Sequence, residues 1–203
     1  VPTTTAYVAL HDIGCLGAWP VDGVSAASDE VVIVAGAAGA VGSMVAQLAL
    51  RAGSTVIGLV SDARQGEQLP PGVEPVRLDD EQRAADLVKD RPATLLVDTL
   101  GGAGLASRAR WVRPGGRAVV VGYVAGSDLR LDLPNWLLED VALLPVNMIR
   151  RDAAAREHAA TLGELLAKGE LKLQVETFGM TDAGRALHLL ASGGLRGRAV
   201  ITP

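Results

Sequence analysis

The stretch VVIVAGAAGAVGSMVAQ, residues 31–47, constrains the fold more than any other part of this chain. β-branched residues open it, glycines at 36, 39 and 42 then break a run of small residues, and apolar positions resume at helical spacing. A short apolar run, a side-chain-poor corner and a helix in that order predict one unit of a parallel α/β sheet. At such a corner several backbone N–H groups and the positive end of the helix converge on one point, which is where a pyrophosphate binds. The fingerprint stands one place off its common form, as Ala37-x-Gly39-x-x-Gly42. Gly39 allows close phosphate approach and Gly42 allows the helix to pack on the strand.

The same rhythm continues along the chain. The first helix is expected over 43–53, ended by Gly53, and a second strand over 54–61. A polar, proline-containing stretch leads to a short third strand at 75–78, and 79–90 has the acidic first turn of a helix. A fourth strand is predicted over 93–102, a helix over 106–112, a turn at PGG (114–116) and a fifth strand over 117–123. Residues 152–169 read as a long amphipathic helix. Strands separated by helices in this way give an α/β fold, a doubly wound, mostly parallel sheet of the Rossmann type. A chain of 203 residues, 49% apolar and only 3% aromatic, suits small-residue helices on a Val/Leu-rich sheet.

Composition also excludes partners. The net charge is −4, with acids and bases interspersed, so no basic face for nucleic acid is expected. No apolar run reaches membrane-spanning length, and the start VPTTTAYVAL lacks the basic-then-apolar pattern of a leader, which leaves a cytoplasmic setting as the expectation. Cys15 is the sole cysteine, which excludes an intrachain disulfide and a multi-cysteine zinc site. His11, His158 and His188 are scattered over predicted helices without metal-ligand spacing, so no metal is expected.

The end of the second strand selects the nucleotide. An NAD site usually places an acid there, and here that position is Val60. Ser61-Asp62-Ala63-Arg64 follows, and a hydroxyl with a guanidinium suits a 2′-phosphate, because Arg forms charge-assisted bonds to phosphate. NADPH is therefore favoured over NADH, although Asp62 counts against it unless it faces solvent. Two more glycine corners, DTLGG (98–102, with Gly101) and VGYVAG (121–126, with Gly122), are expected on the same carboxyl edge, where a flat cofactor can approach the backbone. Asp98 there reads as a cap for the following turn rather than a catalytic acid.

Taken in order, TTTAYVALHDIG, the 31–58 stretch, VDTLGG, RPGGRAVVVG and ALHLLASGGLRGRAVITP resemble the medium-chain dehydrogenase/reductase superfamily. The likeness is greatest to its zinc-independent branch of NADPH-dependent quinone oxidoreductases and alkenal reductases, and GAAGAVGS is particularly similar to the latter. The resemblance implies that Ala38, Gly39, Ala40 and Val41 line the diphosphate, Ser61 and Arg64 the ribose phosphate, and the backbone of Val121, Gly122 and Tyr123 the nicotinamide. It also implies three regions: a connecting helix and loop (1–28), the dinucleotide-binding domain (29–170) and a C-terminal segment (171–203). In that superfamily the C-terminal segment packs on a GroES-like domain that this chain, starting at the connecting helix, is expected to lack. Its apolar face is then expected to be exposed, rearranged or covered by a partner chain. The stretch PVRLDD carries over no cofactor contact, the loop after VGY lacks the Gln-Tyr-Asn pattern of alkenal reductases, and the alcohol dehydrogenases' cysteine–histidine set is missing.

Hydride transfer needs mainly a held cofactor and an oriented acceptor. Tyr123 is the candidate proton donor, with simple packing as its alternative. Trp111 and Trp136 read as core or subunit-contact residues, and Asn135 with Trp136 as a border of a substrate cleft. The sequence thus points to the cofactor-binding part of a reductase that passes hydride to an activated C=C bond or a quinone. A truncated non-redox enzyme or a non-catalytic assembly module with the same fold stays open, as does a homodimer formed through an edge strand.

Overall fold

The computed structural model describes residues 1–195 and 197–203, so Arg196, within the C-terminal segment, lies outside the described residues. Helix α1 (Pro2–Tyr7) starts on a proline, whose missing N–H costs nothing in a first turn, and runs on as a π-helical turn over Val8–Ile13. Strand β1 (Val31–Ala35) is buried throughout and leads through the glycine corner into α2 (Ala40–Arg51). Strand β2 (Thr55–Val60) is followed by α3 (Ala63–Glu67), and β3 (Val73–Arg77) by α4 (Glu81–Lys89). Asp62 and Asp80 cap these two helices, accepting 2.9 Å bonds from the amides of Gln65 and Arg83. Strand β4 (Ala93–Asp98), α5 (Gly104–Ala109), β5 (Val112–Val120), α6 (Leu133–Glu139), β6 (Ala142–Pro145) and α7 (Asp152–Ala167) complete the main body. Strand β7 (Val175–Gly179), α8 (Ala183–Ala191) and β8 (Arg198–Thr202) form a small parallel pair with its helix.

The main sheet has the order β3-β2-β1-β4-β5-β6, with every neighbouring pair parallel. Side chains alternate across it, as a strand period of two requires. Val32, Val34, Val56, Leu95, Val97 and Val119 pack with α1, α2 and α7 on one face. Val31, Ile33, Ile57, Leu59, Leu96 and Ala118 pack with α4, α5 and α6 on the other. The doubly wound sheet expected from the sequence is therefore present, with corrections at its margins. A sixth strand, β6, and the helix α6 were not expected. Four residues are too few to show alternation, and Pro134 suggests a loop although a helix accepts proline in its first turn. The polar stretch after β2 contains the short α3. The PGG turn lies inside β5: Val112 pairs with Ala93 and Arg117 with Leu95, so the residues between loop out. Helix α2 begins three residues before the expected start, on the corner itself, while β5 ends at Val120 and leaves Val121–Tyr123 beyond the strand.

At the amino end of the sheet a fully buried ion pair joins Glu30 to Arg117. The guanidinium donates to the two Glu30 oxygens at 2.6 and 2.8 Å, to the Gly14 carbonyl at 2.6 Å and to the Thr94 carbonyl at 3.1 Å. Glu30 also accepts from the Gly17 amide and the Thr94 hydroxyl, and Arg117 lies 5.4 Å from the Trp19 ring centroid. The segment after α1 is thus tied to β1, β4 and β5 at one point. Removing one partner of such a pair leaves a buried charge uncompensated, at a cost of about 3–5 kcal/mol. Glu30→Ala is expected to lower the melting midpoint by roughly 6–20 °C, given ~2–4 °C per kcal/mol at this chain length. The double replacement Glu30→Met/Arg117→Met should recover part of that loss. A Glu30→Ala midpoint equal to that of the unaltered chain would refute this assignment.

Candidate functional site

The carboxyl edge of the sheet is built outward from β1. After Ala35 the chain turns at Gly36, the Gly39 amide donates to the Gly36 carbonyl at 3.0 Å, and the first turn of α2 follows. A side chain at residue 42 would collide with the Gly36 carbonyl oxygen and lie 2.8 Å from its carbon, so only glycine lets α2 come down onto the turn. Among the described residues no side chain caps α2, and the amides of its first turn face outward from the corner. Ala38, Ala40 and Val41 are half-buried there and Gly39 is exposed. Ala37 is placed differently: its side chain is in the core and its amide donates to the Leu59 carbonyl at 3.1 Å. Gly197 runs alongside Gly39 in a single parallel bridge, which brings the C-terminal segment next to the corner.

Ser61 and Arg64 follow β2 and are both exposed. The Ser61 amide donates to Gln65 Oε1 at 3.1 Å, and Asp62 is occupied as the α3 cap. Arg64 has no ion pair among the described residues. The parallel register also places Arg77, the last residue of β3, beside Val60. Its guanidinium is already gripped by Asp79, through bonds of 2.9 and 2.5 Å, and that hydrogen bonding holds the Asp79 carboxyl below its ordinary range. From the sequence no cofactor contact carries over to PVRLDD, which contains Arg77; the strand register is what places this residue at the same edge.

Past β4, the Asp98 side chain is buried and accepts from the amides of Leu100 and Gly101 at 2.8 and 2.7 Å, which is the expected cap. It is also paired with Arg108 of α5 at 2.6 Å, a partner not anticipated from sequence. Gly101 sits at φ +67°, and a side chain on it would lie 2.6 Å from the Gly122 carbonyl oxygen, so the loops after β4 and β5 are stacked backbone on backbone. Val121 and Gly122 are half-buried on this platform. Tyr123 is 77% exposed, so the packing alternative for it is corrected: the strand ends too early to fold the ring inward. Its hydroxyl has no hydrogen-bond partner among the described residues.

Other candidates lie away from this edge. Asn135 and Trp136 line a groove of about 320 Å³ between α5 and α6, together with Ser107 and Arg110. A second cavity of about 390 Å³ lies across Trp136, against Trp19 and Gly115. Neither cavity contains a residue of the 36–42 corner. Trp111 packs on the core face shared with Trp136. The histidines are less scattered than their spacing suggests. The Tyr7 ring lies 4.5 Å from His11 and 4.2 Å from His158, and His158 Nε2 is 3.7 Å from Asp12. Helix α7 docking on α1 brings them together. Among the described residues no three His, Cys, Asp or Glu side chains are grouped to hold a metal ion. No helix among them is long and apolar enough to cross a membrane.

Burial holds the His11 imidazole below its ordinary 6.5; Asp12 opposes that shift and His158 adds to it. The folded chain then binds fewer protons at His11 than the unfolded chain, so stability falls as pH drops below about 6.5. A His11→Gln variant is expected to lose less of its melting midpoint between pH 7.5 and pH 5.5 than the unaltered chain does. Parallel pH dependences in the two proteins would show that His11 is not the source.

A profile of a family described as zinc-binding dehydrogenases matches residues 72–201. Prostaglandin reductase-3 of Bos taurus is 27% identical over 201 residues, covering 91% of this chain and 50% of that protein. The NADP-dependent oxidoreductase RED1 of Cochliobolus heterostrophus is 26% identical over 225 residues, covering 99% of this chain and 59% of that protein. The chain therefore spans about half the length of the curated relatives it matches. The Escherichia coli quinone oxidoreductase, solved with NADPH, superposes with a TM-score of 0.82 at 19% identity, over 100% of this chain and 63% of that one. At that identity the superposition establishes the fold.

Proposed function

The chain belongs to the zinc-binding dehydrogenase family, and we propose on that premise that it forms the NADPH-binding part of a reductase that passes hydride to an activated C=C bond or a quinone. The zinc of the family's description does not fit this chain: Cys15 is its only cysteine, and the described residues group no ligand set, so no step is routed through a metal. NADPH does fit. The observation that carries the reading is the corner itself, a helix start packed on a glycine turn at the middle of the sheet and capped by no side chain among the described residues, with Arg64, in no ion pair among those residues, just past the neighbouring strand. NADPH, when bound, supplies the hydride.

In this reading Ala38, Gly39, Ala40 and Val41 present backbone to the diphosphate, and Gly42 and Ala37 shape the corner from behind. Ser61 and Arg64 hold the 2′-phosphate, while Arg77 is occupied by Asp79. Gly101, Val121 and Gly122 support the nicotinamide, and the exposed Tyr123 hydroxyl lies within the loop nearest the acceptor. The names of the relatives support this reading, since one is a prostaglandin reductase and another is NADP-dependent. We also take residues 1–28 as a connecting helix and loop, 29–170 as the dinucleotide-binding domain and 171–203 as a separate packing segment. A cytoplasmic protein and a small-molecule substrate accompany the proposal. Contact with a second copy or a partner chain is consistent with the exposed Val175, Leu187 and Leu190 of the C-terminal segment.

The test is calorimetric titration of NADPH and NADH into this chain and into an Arg64→Ala variant. NADPH is expected to bind more tightly than NADH, and the variant to lose about tenfold or more for NADPH alone, as expected for one charge-assisted bond. Equal affinity for both nucleotides in the unaltered chain would overturn the phosphate assignment, and no binding of either would overturn the cofactor reading.

A further inference from the structure

Asp98 and Arg108 are the buried charged groups at the carboxyl edge that hydride transfer does not use. The Asp98 side chain is fully buried and that of Arg108 is 10% exposed. One Asp98 oxygen accepts from the amides of Leu100 and Gly101, and the other takes the Arg108 Nε–H at 2.6 Å. Arg108 Nη2 donates in turn to the Gly101 carbonyl at 2.8 Å. The pair therefore grips Gly101 from both sides, its amide through the carboxylate and its carbonyl through the guanidinium.

Gly101 is the residue on which the two loops of this edge meet. A side chain there would lie 2.8 Å from the Tyr123 Cα and 3.2 Å from the Gly126 carbonyl oxygen. The Val121 amide donates to the Asp98 carbonyl at 2.8 Å, and the Ala125 amide to the Leu100 carbonyl at 2.9 Å. The loops 98–102 and 121–126 thus form one backbone platform held by a single ionic clamp. A buried ion pair is a poor source of stability, because desolvation offsets its attraction and apolar replacements often serve as well. Fixed geometry is what such a pair supplies here.

We propose that Asp98 and Arg108 are positioning residues for the nicotinamide end of the site, setting the height of the platform on which the ring lies. The proposal rests on the dinucleotide reading above. It separates the two halves of the cofactor: the diphosphate and ribose phosphate are held from α2 and the end of β2, which make none of the clamp's hydrogen bonds. Loss of the clamp is then felt at the nicotinamide and not at the adenosine.

Two probes test this on the full chain: NADPH, and 2′-phospho-ADP-ribose, which lacks the nicotinamide. For Arg108→Ala the NADPH dissociation constant is expected to rise about tenfold, and that of 2′-phospho-ADP-ribose by less than about twofold. The emission change of bound reduced nicotinamide should be lost in the same variant. Arg108→Lys should restore part of the emission change, since it keeps a cation beside Asp98 but not the second bond to Gly101. If Arg108→Ala does not fold, Asp98→Asn/Arg108→Gln carries the same comparison, with an amide pair in place of the charges. Equal weakening of both probes, or an unaltered emission change, would overturn the positioning role while leaving dinucleotide binding standing. Failure of the unaltered chain to bind either probe would overturn the dinucleotide reading, and this inference with it.

Discussion

A Cβ on residue 42 has nowhere to go, and much of the molecule is arranged around that fact. Because the Gly36 carbonyl points into the first turn of α2, the helix lies directly on the end of β1 and its free amides converge above the turn. β1 sits between β2 and β4, so the corner occupies the place where the chain's path divides, first toward β3 and then toward β6. Crevices at such a switch point are where open α/β sheets bind ligands. Everything else on this edge is placed by its distance from that point. The end of β2 brings Ser61 and Arg64 to one side, and the end of β4 brings the Asp98 loop to the other.

Two buried ion pairs mark the two ends of the sheet, and they differ in what they hold. At the amino end, Glu30 and Arg117 join residues distant in the chain: the guanidinium reaches the Gly14 carbonyl, and the carboxylate the Gly17 amide. That pair anchors the segment after α1, which has little regular structure of its own, and it acts on the stability of the whole fold. At the carboxyl end, Asp98 and Arg108 are ten positions apart and grip Gly101, on which the loops 98–102 and 121–126 meet. The first resists separation of elements; the second is local to the two loops stacked at this edge.

The central units were legible in the sequence because each physical signal there acts locally. Five buried residues, three glycines and a helical apolar pattern specify β1, the corner and α2 without help from the rest of the chain. Asp98 as a cap was legible for the same reason, since a carboxylate two and three residues before open amides can scarcely do otherwise. What could not be read depends on register and docking. Arg77 stands beside the end of β2 because β3 pairs with β2 so that residue 77 faces residue 60. His11 and His158 stack on Tyr7 because α7 packs against α1. The helix at 133–139 was hidden by Pro134, which signals a turn in isolation and a first helical turn once Asp132 precedes it. Tyr123 lies in solvent and not in a strand because β5 ends at Val120, three residues before it.

The exposed side chains bear on the chemistry. Hydride transfer is favoured where water is kept from the reacting faces. Yet Tyr123 and Val124 stand 77% and 83% exposed beside the platform that would support the ring. Among the described residues the stacked loops thus form a floor at this edge, with the Tyr123 and Val124 side chains beside it in solvent. The floor is rigid, since its loops are bonded to one another and clamped from below by a buried pair. Loops already bonded to one another need not rearrange when a ligand is laid on them, which is the advantage the proposed reading draws from this geometry. On the reading proposed above, NADPH would be held by the backbone of this edge, and the acceptor would be met on the side where Tyr123 stands in solvent.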